Sequence, residues 1–281
     1  MDKFRILIVG CGEVGCALAQ LLASRHQVYG LRRNIDKLPV TIDAIEADFL
    51  KPSTLKSLPD IDILVYCAAP TRGAGDNYSS IYLEGFNNIL QALSLPPKHI
   101  FFTSSTSVYG QNDHQWVDEE SITEPDTERA NIMLAAEQQV LATPSPSTVV
   151  RFSGIYGFDR LFLLNQVLTS RASADTTLSY SNRIHLADCA GVLNHLIEKA
   201  FARQSIDNLY LASDNNPAPR AEVLHWLAKQ TNSRLSNTPS THTVGSKRCN
   251  NQRLLETGYQ FIYPDYQAGY TAILKKLDLI S

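Results

Sequence analysis

Short runs of β-branched and apolar residues alternate with longer stretches of helical periodicity along the first half of the chain. Between positions 14 and 22, apolar side chains recur at i, i+3, i+4, i+7 and i+8, which predicts a helix with one face against a sheet. Strands that alternate with helices are typical of βαβ units, whose parallel sheet is covered on both faces. The predicted strands are Ile6–Val9, Gln27–Leu31, Ala44–Ala47, Ile63–Ala68, His99–Thr103 and Thr148–Arg151. The predicted later helices are Asn77–Leu93, Glu128–Leu141, Ala187–Ala202 and Arg220–Thr231.

The pattern changes after Gly157, where helices mix with short strands and the regular alternation stops. We therefore predict an α/β fold, in which residues 1–157 form a doubly wound parallel Rossmann sheet of six strands. Residues 158–281 are expected to form a small C-terminal α+β lobe. Within them, residues 183–206 are expected to return to the first domain.

The first predicted strand-to-helix turn carries the clearest chemical signal. Gly10, Gly12 and Gly15 form a GxGxxG sequence directly after the first strand, and Glu13 and Val14 complete it. In this context the first glycine permits a tight turn, the second lets a pyrophosphate approach the backbone, and the third lets helix and strand pack closely. The N-terminus of the helix adds N–H groups and partial positive charge. The motif predicts a dinucleotide site; the alternative is a turn whose glycines are purely structural.

The end of the second strand bears on which dinucleotide is preferred. An acidic side chain about 20 residues beyond the glycines would hold the ribose 2′-hydroxyl of NAD. This chain has Arg32 and Arg33 there, and no carboxylate before Asp36. Because planar guanidinium groups can clamp a 2′-phosphate, NADP(H) is favoured and NAD(H) is possible. The alternative is two solvated arginines on a surface loop.

Two further strand ends supply candidate cofactor contacts. Asp48 and Phe49 follow the third strand, where a carboxylate could accept from an adenine amino group and the phenylalanine could line the ring. A surface turn is the alternative there. Ala68 and Ala69 end the fourth strand, where small side chains would let a cofactor ribose lie close to the backbone. Packing alone would also favour alanine.

Three later motifs follow the glycine loop in a specific order. They are Thr103-Ser-Ser-Thr-Ser-Val-Tyr-Gly110, Arg151-Phe-Ser-Gly-Ile-Tyr-Gly157 and Ile184-His-Leu-Ala-Asp188. Together the motifs resemble the extended short-chain dehydrogenase/reductases, the NAD(P)-dependent epimerase/dehydratase family, over residues 4 to about 275. The resemblance implies that Thr103, Ser153 and Gly154 contact the cofactor. It also implies that Ser105 holds a substrate hydroxyl or carbonyl.

The resemblance further implies a catalytic pair that this sequence lacks. The family uses a tyrosine with a lysine four residues later, and the lysine lowers the pKa of the tyrosine and holds the nicotinamide ribose. With Glu137 as the landmark, Arg129 stands at the tyrosine position and Met133 at the lysine position. A guanidinium cannot accept a proton at neutral pH, and a thioether carries no charge. None of the ten lysines has a tyrosine four residues upstream, so the chain resembles an atypical branch without the Tyr–Lys pair.

Two functional interpretations remain open. In the first, the protein is an oxidoreductase or epimerase that acts on a small carbonyl or sugar-like substrate, and a non-standard group near Ser105 moves the proton. Phenols and imidazoles can do so near pH 7, and the candidates are Tyr109, His114, Tyr156 and His185, each of which is also an ordinary packing or surface residue. In the second, the protein binds NADP without turnover, as a sensor or interaction protein, and Arg129 pairs with a phosphate or a substrate carboxylate. We predict that Ser105, Tyr109 and Arg129 lie near the nicotinamide.

Composition and charge exclude several classes of function. The 281 residues carry a formal net charge of −3, so no global positive field would attract nucleic acid or anionic lipid. No run approaches the roughly 18 apolar residues of a membrane span. Five cysteines without a CxxC pair favour a reducing, cytoplasmic setting. The histidines and cysteines show no zinc spacing, so we predict no metal site. The expected partner is a small-molecule substrate, and the oligomeric state, monomer or homodimer, is open.

Two charged stretches have less specific interpretations. Residues 113–128 contain seven carboxylates and neither lysine nor arginine, which predicts a solvated loop or, alternatively, a lid that disfavours anionic substrates. Residues 247–253 form a short basic cluster. We expect a solvated face there; the alternative is a contact for a cofactor phosphate or an acidic ligand.

Overall fold

Seven strands form the central sheet of the protein, whose computed structural model describes residues 3–70, 77–174, 178–236 and 246–280. In this part of the chain the strands are β1 (Arg5–Val9), β2 (Gln27–Arg32), β3 (Asp43–Glu46), β4 (Ile63–Tyr66), β5 (His99–Ser105), β6 (Gln115–Val117), β7 (Ser147–Phe152), β8 (Gly154–Tyr156), β9 (Tyr180–Ser181), β10 (Arg183–His185), β11 (Leu209–Ala212), β12 (Ala218–Pro219) and β13 (Lys247–Cys249). The α-helices are α1 (Glu13–Leu22), α2 (Gly85–Ala92), α3 (Glu128–Leu141), α4 (Phe162–Leu168), α5 (Leu186–Phe201), α6 (Arg220–Gln230), α7 (Gln252–Glu256) and α8 (Tyr266–Lys276).

The central sheet has the order β3-β2-β1-β4-β5-β7-β11. Strand β1 pairs in parallel with β2 on one side and with β4 on the other, so the direction of winding reverses between β1 and β4. All four residues of β4 and four of the five in β1 are buried, as expected when helices cover both faces of a parallel sheet. The predicted doubly wound α/β class is confirmed.

All six predicted sheet strands are present, and the sheet has one more. The additional strand is β11, a four-residue apolar run in the region where the regular alternation stops. So short a run has no periodicity of its own, and only its pairing at the edge of the sheet makes it a strand. Among the described helices, none combines the length and the apolar character that crossing a bilayer requires.

The helical stretch predicted at residues 77–93 is not a uniform α-helix. A π-helical segment, Ser80–Glu84, precedes α2. Gly85 lies directly against Phe49, because a Cβ atom at this glycine would come within 2.4 Å of the phenylalanine ring. Segments of π-helix occur often at functional sites, which directs attention to the side chains that this one carries.

The chain divides into two compact units. The first contains Met1–Val108, Pro125–Arg151 and Ala190–Tyr210, and the second contains Tyr109–Glu124, Phe152–Cys189 and Leu211–Ser281. The predicted division instead separates residues 1–157 from 158–281 and returns residues 183–206 to the first domain. The main difference is the segment from Tyr109 to Glu124, which the structure assigns to the second unit.

The second unit is built from helices and two-stranded sheets. Strands β8 and β10 pair in parallel, and β9 and β12 pair antiparallel. Side chains of α4, α6 and α8 form its apolar core, which includes Leu164, Leu227 and Tyr270. The Asp188 carboxylate accepts hydrogen bonds from the Tyr259 hydroxyl at 2.9 Å and from two backbone N–H groups of residues 262 and 263.

The two charged stretches of the sequence lie against each other in this unit. Strand β13, from the basic cluster, pairs in parallel with β6, from the acidic stretch. Arg253 forms ion pairs with Glu119 and Glu120. Glu119 is buried and accepts a hydrogen bond from the backbone N–H of Leu211 at 2.6 Å. Most carboxylates of the acidic stretch are exposed, as expected of a solvated loop, but Glu119 is buried and residues 115–120 are anchored by the basic cluster, which is only partly solvated.

A buried ion pair anchors α3 to the sheet of the first unit. The Glu137 carboxylate on α3 accepts two hydrogen bonds from the Arg151 guanidinium on β7, Nε at 2.9 Å and Nη2 at 2.6 Å. The Ser104 hydroxyl on β5 donates to the same carboxylate at 2.5 Å. All three side chains are at least nine-tenths buried. Two strands and one helix are therefore joined at a single carboxylate.

We expect Glu137→Ala to lower the free energy of unfolding by about 3–5 kcal/mol, because the Arg151 guanidinium would remain buried without its counter-ion. The double variant Glu137→Leu with Arg151→Met should cost much less, since it removes both charges and keeps apolar volume. Urea unfolding measures both. Asp60→Ala is the control: this half-exposed carboxylate pairs at 3.9 Å with the partly exposed Arg5, and its loss should cost less than about 1 kcal/mol. Equal losses for the single and the double variant would contradict the prediction.

Candidate functional site

The three glycines of the loop between β1 and α1 differ in what surrounds them. Gly10 has a φ of +76°, and a Cβ atom there would lie 2.2 Å from the Cα atom of Ala68. A Cβ at Gly15 would lie 3.1 Å from the Cys67 sulfur, so this residue lets α1 pack closely on the sheet. At Gly12 a Cβ would meet nothing nearer than the Gly10 carbonyl oxygen, at 3.8 Å. The loop is therefore tight at its ends and open at its middle glycine.

The first turn of α1 adds to this opening. The helix begins at Glu13, with Gly12 as its N-cap residue and Val14 in the first turn, and no side chain of the described residues caps it. A bare N-terminus presents backbone N–H groups and partial positive charge. The open side at Gly12 and the uncapped helix together fit the pyrophosphate of a dinucleotide.

The two arginines after β2 are placed differently from each other. The Arg32 guanidinium donates from Nη1 to the backbone carbonyl of Cys11, inside the glycine loop, at 3.1 Å. Arg33 is exposed. A guanidinium has five N–H donors, so the bond to Cys11 leaves Arg32 with further donors for a phosphate.

The other predicted cofactor residues of the first unit lie at the strand ends. The Asp48 carboxylate accepts from the backbone N–H of Leu50 at 3.1 Å and so closes its own turn. The Phe49 ring packs edge-on against Tyr66, with ring centres 6.0 Å apart. Ala68 is buried against Gly10, and Ala69 is exposed. The Thr103 hydroxyl donates to the Tyr66 carbonyl at 3.4 Å. Their roles toward a cofactor stay predictions.

A second cluster of polar side chains surrounds a cavity of about 410 Å³ in the first unit. Its lining residues are Tyr78, Tyr82, Ser105, Ser107, Thr127, Arg129, Ala130 and Met133. The cavity brings together three residues that the sequence singles out, namely Ser105, Arg129 and Met133. The Ser105 hydroxyl accepts from the backbone N–H of Ser107 at 3.1 Å and keeps its own proton for donation. Arg129 and Met133, counted from Glu137, therefore line the same cavity as Ser105, and their assignment to the family's catalytic positions stays a prediction.

Two tyrosines of this cavity were not singled out from the sequence. The Arg129 guanidinium lies over the ring of Tyr78, 5.0 Å from its centre, which is a cation–π contact. Tyr82 is one turn further along, and its ring centre is 5.6 Å from that of Tyr78. Burial raises the pKa of Tyr82 well above its usual range, whereas Tyr78 is only partly buried. The available signal was a Tyr-xxx-Tyr spacing on the helical stretch that follows β4.

The four predicted proton-transfer candidates all belong to the second unit and make structural contacts there. Tyr109 is buried, and its hydroxyl donates to the Asp118 carbonyl at 2.7 Å. A nitrogen of the His114 ring lies 2.6 Å from the Ser246 hydroxyl oxygen. Tyr156 is buried, and its burial raises the pKa of its phenol far above the usual range.

His185 is the fourth candidate, and its surroundings disfavour the imidazolium form. Burial lowers the pKa of His185 to about 4. Its Nδ1 accepts from the backbone N–H of Ala187 at 3.1 Å, which assigns the proton of the neutral ring to Nε2. An imidazole of this kind stays neutral at pH 7, so it is a poor acceptor of a proton.

Ser153 and Gly154, which the resemblance assigns to the cofactor, lie where β7 meets β8. The backbone N–H of Ser153 donates to the Ala212 carbonyl at 3.0 Å, and that of Gly154 to the Asn182 carbonyl at 3.2 Å. The Ser153 hydroxyl is buried and has no hydrogen-bond partner among the described residues. It is therefore available for a ligand.

Comparison with known proteins assigns the family. The profile of the RmlD substrate binding domain matches residues 4–244. A protein of Methylobacillus flagellatus, provisionally named an NAD-dependent epimerase/dehydratase, is 38% identical with a TM-score of 0.85, over 99% of this chain and 100% of that one. The UDP-glucose 4-epimerase of Thermus thermophilus, in complex with NAD, shares the fold with a TM-score of 0.78 at 16% identity, over 98% of this chain and 99% of that one. No curated protein matches the chain in sequence. The chain belongs to the RmlD substrate binding domain family, within the extended short-chain dehydrogenase/reductases.

Proposed function

We propose that the protein binds a nicotinamide dinucleotide, NADP(H) in preference to NAD(H), and uses it as an oxidoreductase or epimerase on a small carbonyl or sugar-like substrate. The observation that carries the proposal is the glycine loop, tight at Gly10 and Gly15 and open at Gly12. The provisional name of the Methylobacillus relative supports the cofactor class. That name specifies NAD, so the preference for NADP rests on this chain's own Arg32 and Arg33.

The residues that would hold the cofactor follow from the strand ends. The backbone N–H groups of the first turn of α1 would bind the pyrophosphate, and Arg32 and Arg33 would pair with the 2′-phosphate. Ala68 and Ala69 leave room for a ribose beside the loop. When bound, the nicotinamide supplies hydride transfer to or from a carbinol carbon.

The cavity supplies groups for the proton. The Ser105 hydroxyl can donate to a substrate oxygen, and the Tyr78 phenol can give or take the proton of that oxygen. The Arg129 guanidinium lies over the Tyr78 ring and brings a positive charge to the wall of the cavity. A phenol and a cation are therefore both present, although they come from two different helical segments instead of one.

A second candidate function is binding without turnover, as a sensor or interaction protein. The observation that favours it is Met133, which stands in the cavity where the family's lysine would be and is nearly fully buried. A thioether cannot hold the nicotinamide ribose as an ammonium does. Binding and turnover therefore have to be measured separately.

Titration of the protein with NADPH and NADH, followed by intrinsic and cofactor fluorescence, tests the cofactor proposal. Gly12→Asp should weaken binding by about a hundredfold or more, because it places a carboxylate where the pyrophosphate would lie. The fold should persist, since a side chain at this position meets no close atom. Unfolding in urea is the control for the fold. Undiminished affinity in this variant would show that the loop is structural only.

The preference for NADP(H) predicts the behaviour of the two arginines. Arg32→Asp combined with Arg33→Asp should lower the NADPH-to-NADH affinity ratio by about tenfold to a hundredfold, the loss expected when charge-assisted hydrogen bonds to a phosphate disappear. Arg203→Asp is the control. Arg203 is an exposed residue just beyond Phe201. The Phe201 ring stacks on Phe4, which precedes β1, whereas the glycine loop follows β1. An unchanged NADPH-to-NADH affinity ratio in the double variant would show that both arginines are solvated surface residues that do not contact the 2′-phosphate.

The proposed proton transfer predicts a split between binding and turnover. In an assay with a panel of carbonyl compounds and nucleotide sugars, Tyr78→Phe should lower kcat by about 10²- to 10⁴-fold and leave NADPH affinity unchanged. Arg129→Lys should retain more activity than Arg129→Met, because it keeps a cation. Tyr29→Phe, on β2 and outside the cavity, is the control. Full turnover by Tyr78→Phe would show that a group other than the Tyr78 phenol transfers the proton. Tight NADPH binding by the unaltered protein without any turnover would favour the second candidate function.

A further inference from the structure

Two cysteines lie inside the glycine loop and the turn that follows it. Cys11 stands between Gly10 and Gly12 and is fully buried, while Cys16 lies in α1 and is partly exposed. Their sulfur atoms are 3.8 Å apart. The absence of a side chain at Gly30 makes room for the Cys11 sulfur, which would lie 3.3 Å from a Cβ atom there. In a disulfide the two sulfur atoms are about 2.05 Å apart. The distance between the Cys11 and Cys16 sulfurs would therefore have to shorten by less than about 2 Å.

The charges around this pair favour the thiolate of Cys16. The hydrogen bond from the Cys11 thiol, together with the nearby Arg32 guanidinium, lowers the pKa of Cys16 to about 7. The same hydrogen bond, together with burial, raises the pKa of Cys11 far above its usual range. Cys67 is the third thiol of the cluster, and burial raises its pKa to about 12. At neutral pH the partly exposed Cys16 is therefore a thiolate in a substantial fraction of the molecules, beside a Cys11 thiol that keeps its proton.

We propose that Cys11 and Cys16 form a reversible thiol-oxidation site, at which a peroxide converts the two thiols into a disulfide that weakens dinucleotide binding. The site itself depends only on the two sulfurs and Arg32. The effect on binding rests on the proposed function.

The oxidation proceeds in two balanced steps. In the first, the Cys16 thiolate attacks one oxygen of hydrogen peroxide: an S–O bond forms, the O–O bond breaks, and the departing hydroxide takes a proton from solvent as water. In the second, the Cys11 sulfur attacks the Cys16 sulfenic acid: the S–S bond forms, the S–O bond breaks, and the hydroxide leaves with the Cys11 proton as water. Once Cys16 is no longer an anion, the contact that keeps Cys11 protonated is gone. Two thiols lose two electrons, and one peroxide becomes two waters.

The link to binding follows from the position of Cys11. Its carbonyl oxygen accepts from the Arg32 guanidinium at 3.1 Å and, while Cys16 is protonated, from the Cys16 thiol at 3.2 Å. Moving its sulfur toward α1 displaces the backbone between Gly10 and Gly12, where the pyrophosphate would approach. Hydrogen bonds to a phosphate depend on distances of about 2.7–2.9 Å, so a shift of this size disrupts them.

Peptide mass spectrometry of the full-length protein, treated with hydrogen peroxide, tests the site directly. Trypsin cuts after Arg5 and Arg25, and the peptide between them holds Cys11 and Cys16 and no other cysteine. We expect this peptide to lose two hydrogen atoms while Cys189 and Cys249, which are buried, remain thiols. A dithiol reductant should restore the original mass. A peptide that gains oxygen without forming the crosslink would overturn the proposal.

Titration of the same samples with NADPH tests the consequence. The oxidised protein should bind about tenfold more weakly, the loss expected when one hydrogen bond to a charged group is broken, and reduction should restore the affinity. Cys11→Ala and Cys16→Ala should each abolish both the crosslink and the peroxide sensitivity of binding. Cys67→Ala, which removes the neighbouring thiol, is the matched control and should keep both. A crosslinked protein with unchanged NADPH affinity would refute the effect on binding.

Failure of the proposed function would look different. Reduced protein that binds neither NADPH nor NADH contradicts dinucleotide binding, while the peptide mass still decides whether the thiol pair exists. Alkylation of Cys16 by iodoacetamide gives an independent readout. Because the thiolate is the nucleophile, the rate in Cys67→Ala should rise with pH to half its maximum near pH 7, and Arg32→Met should shift that midpoint upward. If the alkylation rates of Cys67→Ala and of Arg32→Met both reached half their maximum at the ordinary thiol pKa, the argument that Cys16 has a lowered pKa would be contradicted.

Discussion

The carboxylate of Glu137 is the point on which the arrangement of the cavity depends. It joins α3 to β7 through Arg151 and to β5 through Ser104, the residue directly before Ser105. Arg129 and Met133 lie on α3, two turns and one turn before this carboxylate. A well-packed apolar pair could hold the helix as firmly, but its contacts would be less directional with respect to the helix's rotation and its register along the strands. A bidentate guanidinium–carboxylate contact is directional, so it sets both.

This anchoring explains how the cavity can lose the family's catalytic pair and remain a cavity. Arg129 and Met133, which the resemblance implies for the family's tyrosine and lysine positions, line the same cavity as Ser105, because the anchor lies further along the helix. Met133 makes this wall of the cavity apolar, and Arg129 brings a permanent cation to it. A phenol is available from Tyr78, whose ring lies under that guanidinium. A planar guanidinium can stack on a ring in a way that a compact ammonium does less well, which is consistent with arginine at this position.

The sequence predicted the sheet well and the cavity only in part, for a physical reason. Strands buried on both faces and the glycine turn are encoded locally, so six strands and the loop could be identified from neighbouring residues. Counting from Glu137 found two residues that line the cavity with Ser105, because positions along one helix keep their spacing; their equivalence to the family's catalytic pair stays a prediction. Tyr78 was missed because its approach to Arg129 depends on how two separate helical segments pack. His185 was overrated because its burial, which keeps it neutral, is a property of the folded lobe. The pairing of the acidic with the basic stretch was not predicted for the same reason, since the strands that pair, β6 and β13, are far apart along the chain.

The positions of the glycine loop differ in whether they have room for a side chain, and this difference bears on the two cysteines beside the glycines. Gly10 and Gly15 have no room for a side chain, and Gly12 faces the space that a phosphate would need. The cysteines at the middle of the loop and just beyond it differ in burial, since Cys11 is fully buried and Cys16 is partly exposed. The hydrogen bond from Cys11 and the nearby Arg32 guanidinium lower the pKa of Cys16, which gives this thiol a reactivity that packing does not require. Because Arg32 also holds the Cys11 carbonyl, the same side chain connects the state of the thiols to the shape of the loop. Both proposed functions begin with binding of the dinucleotide, and the proposed disulfide would act on that step because it would move a buried sulfur inside this loop.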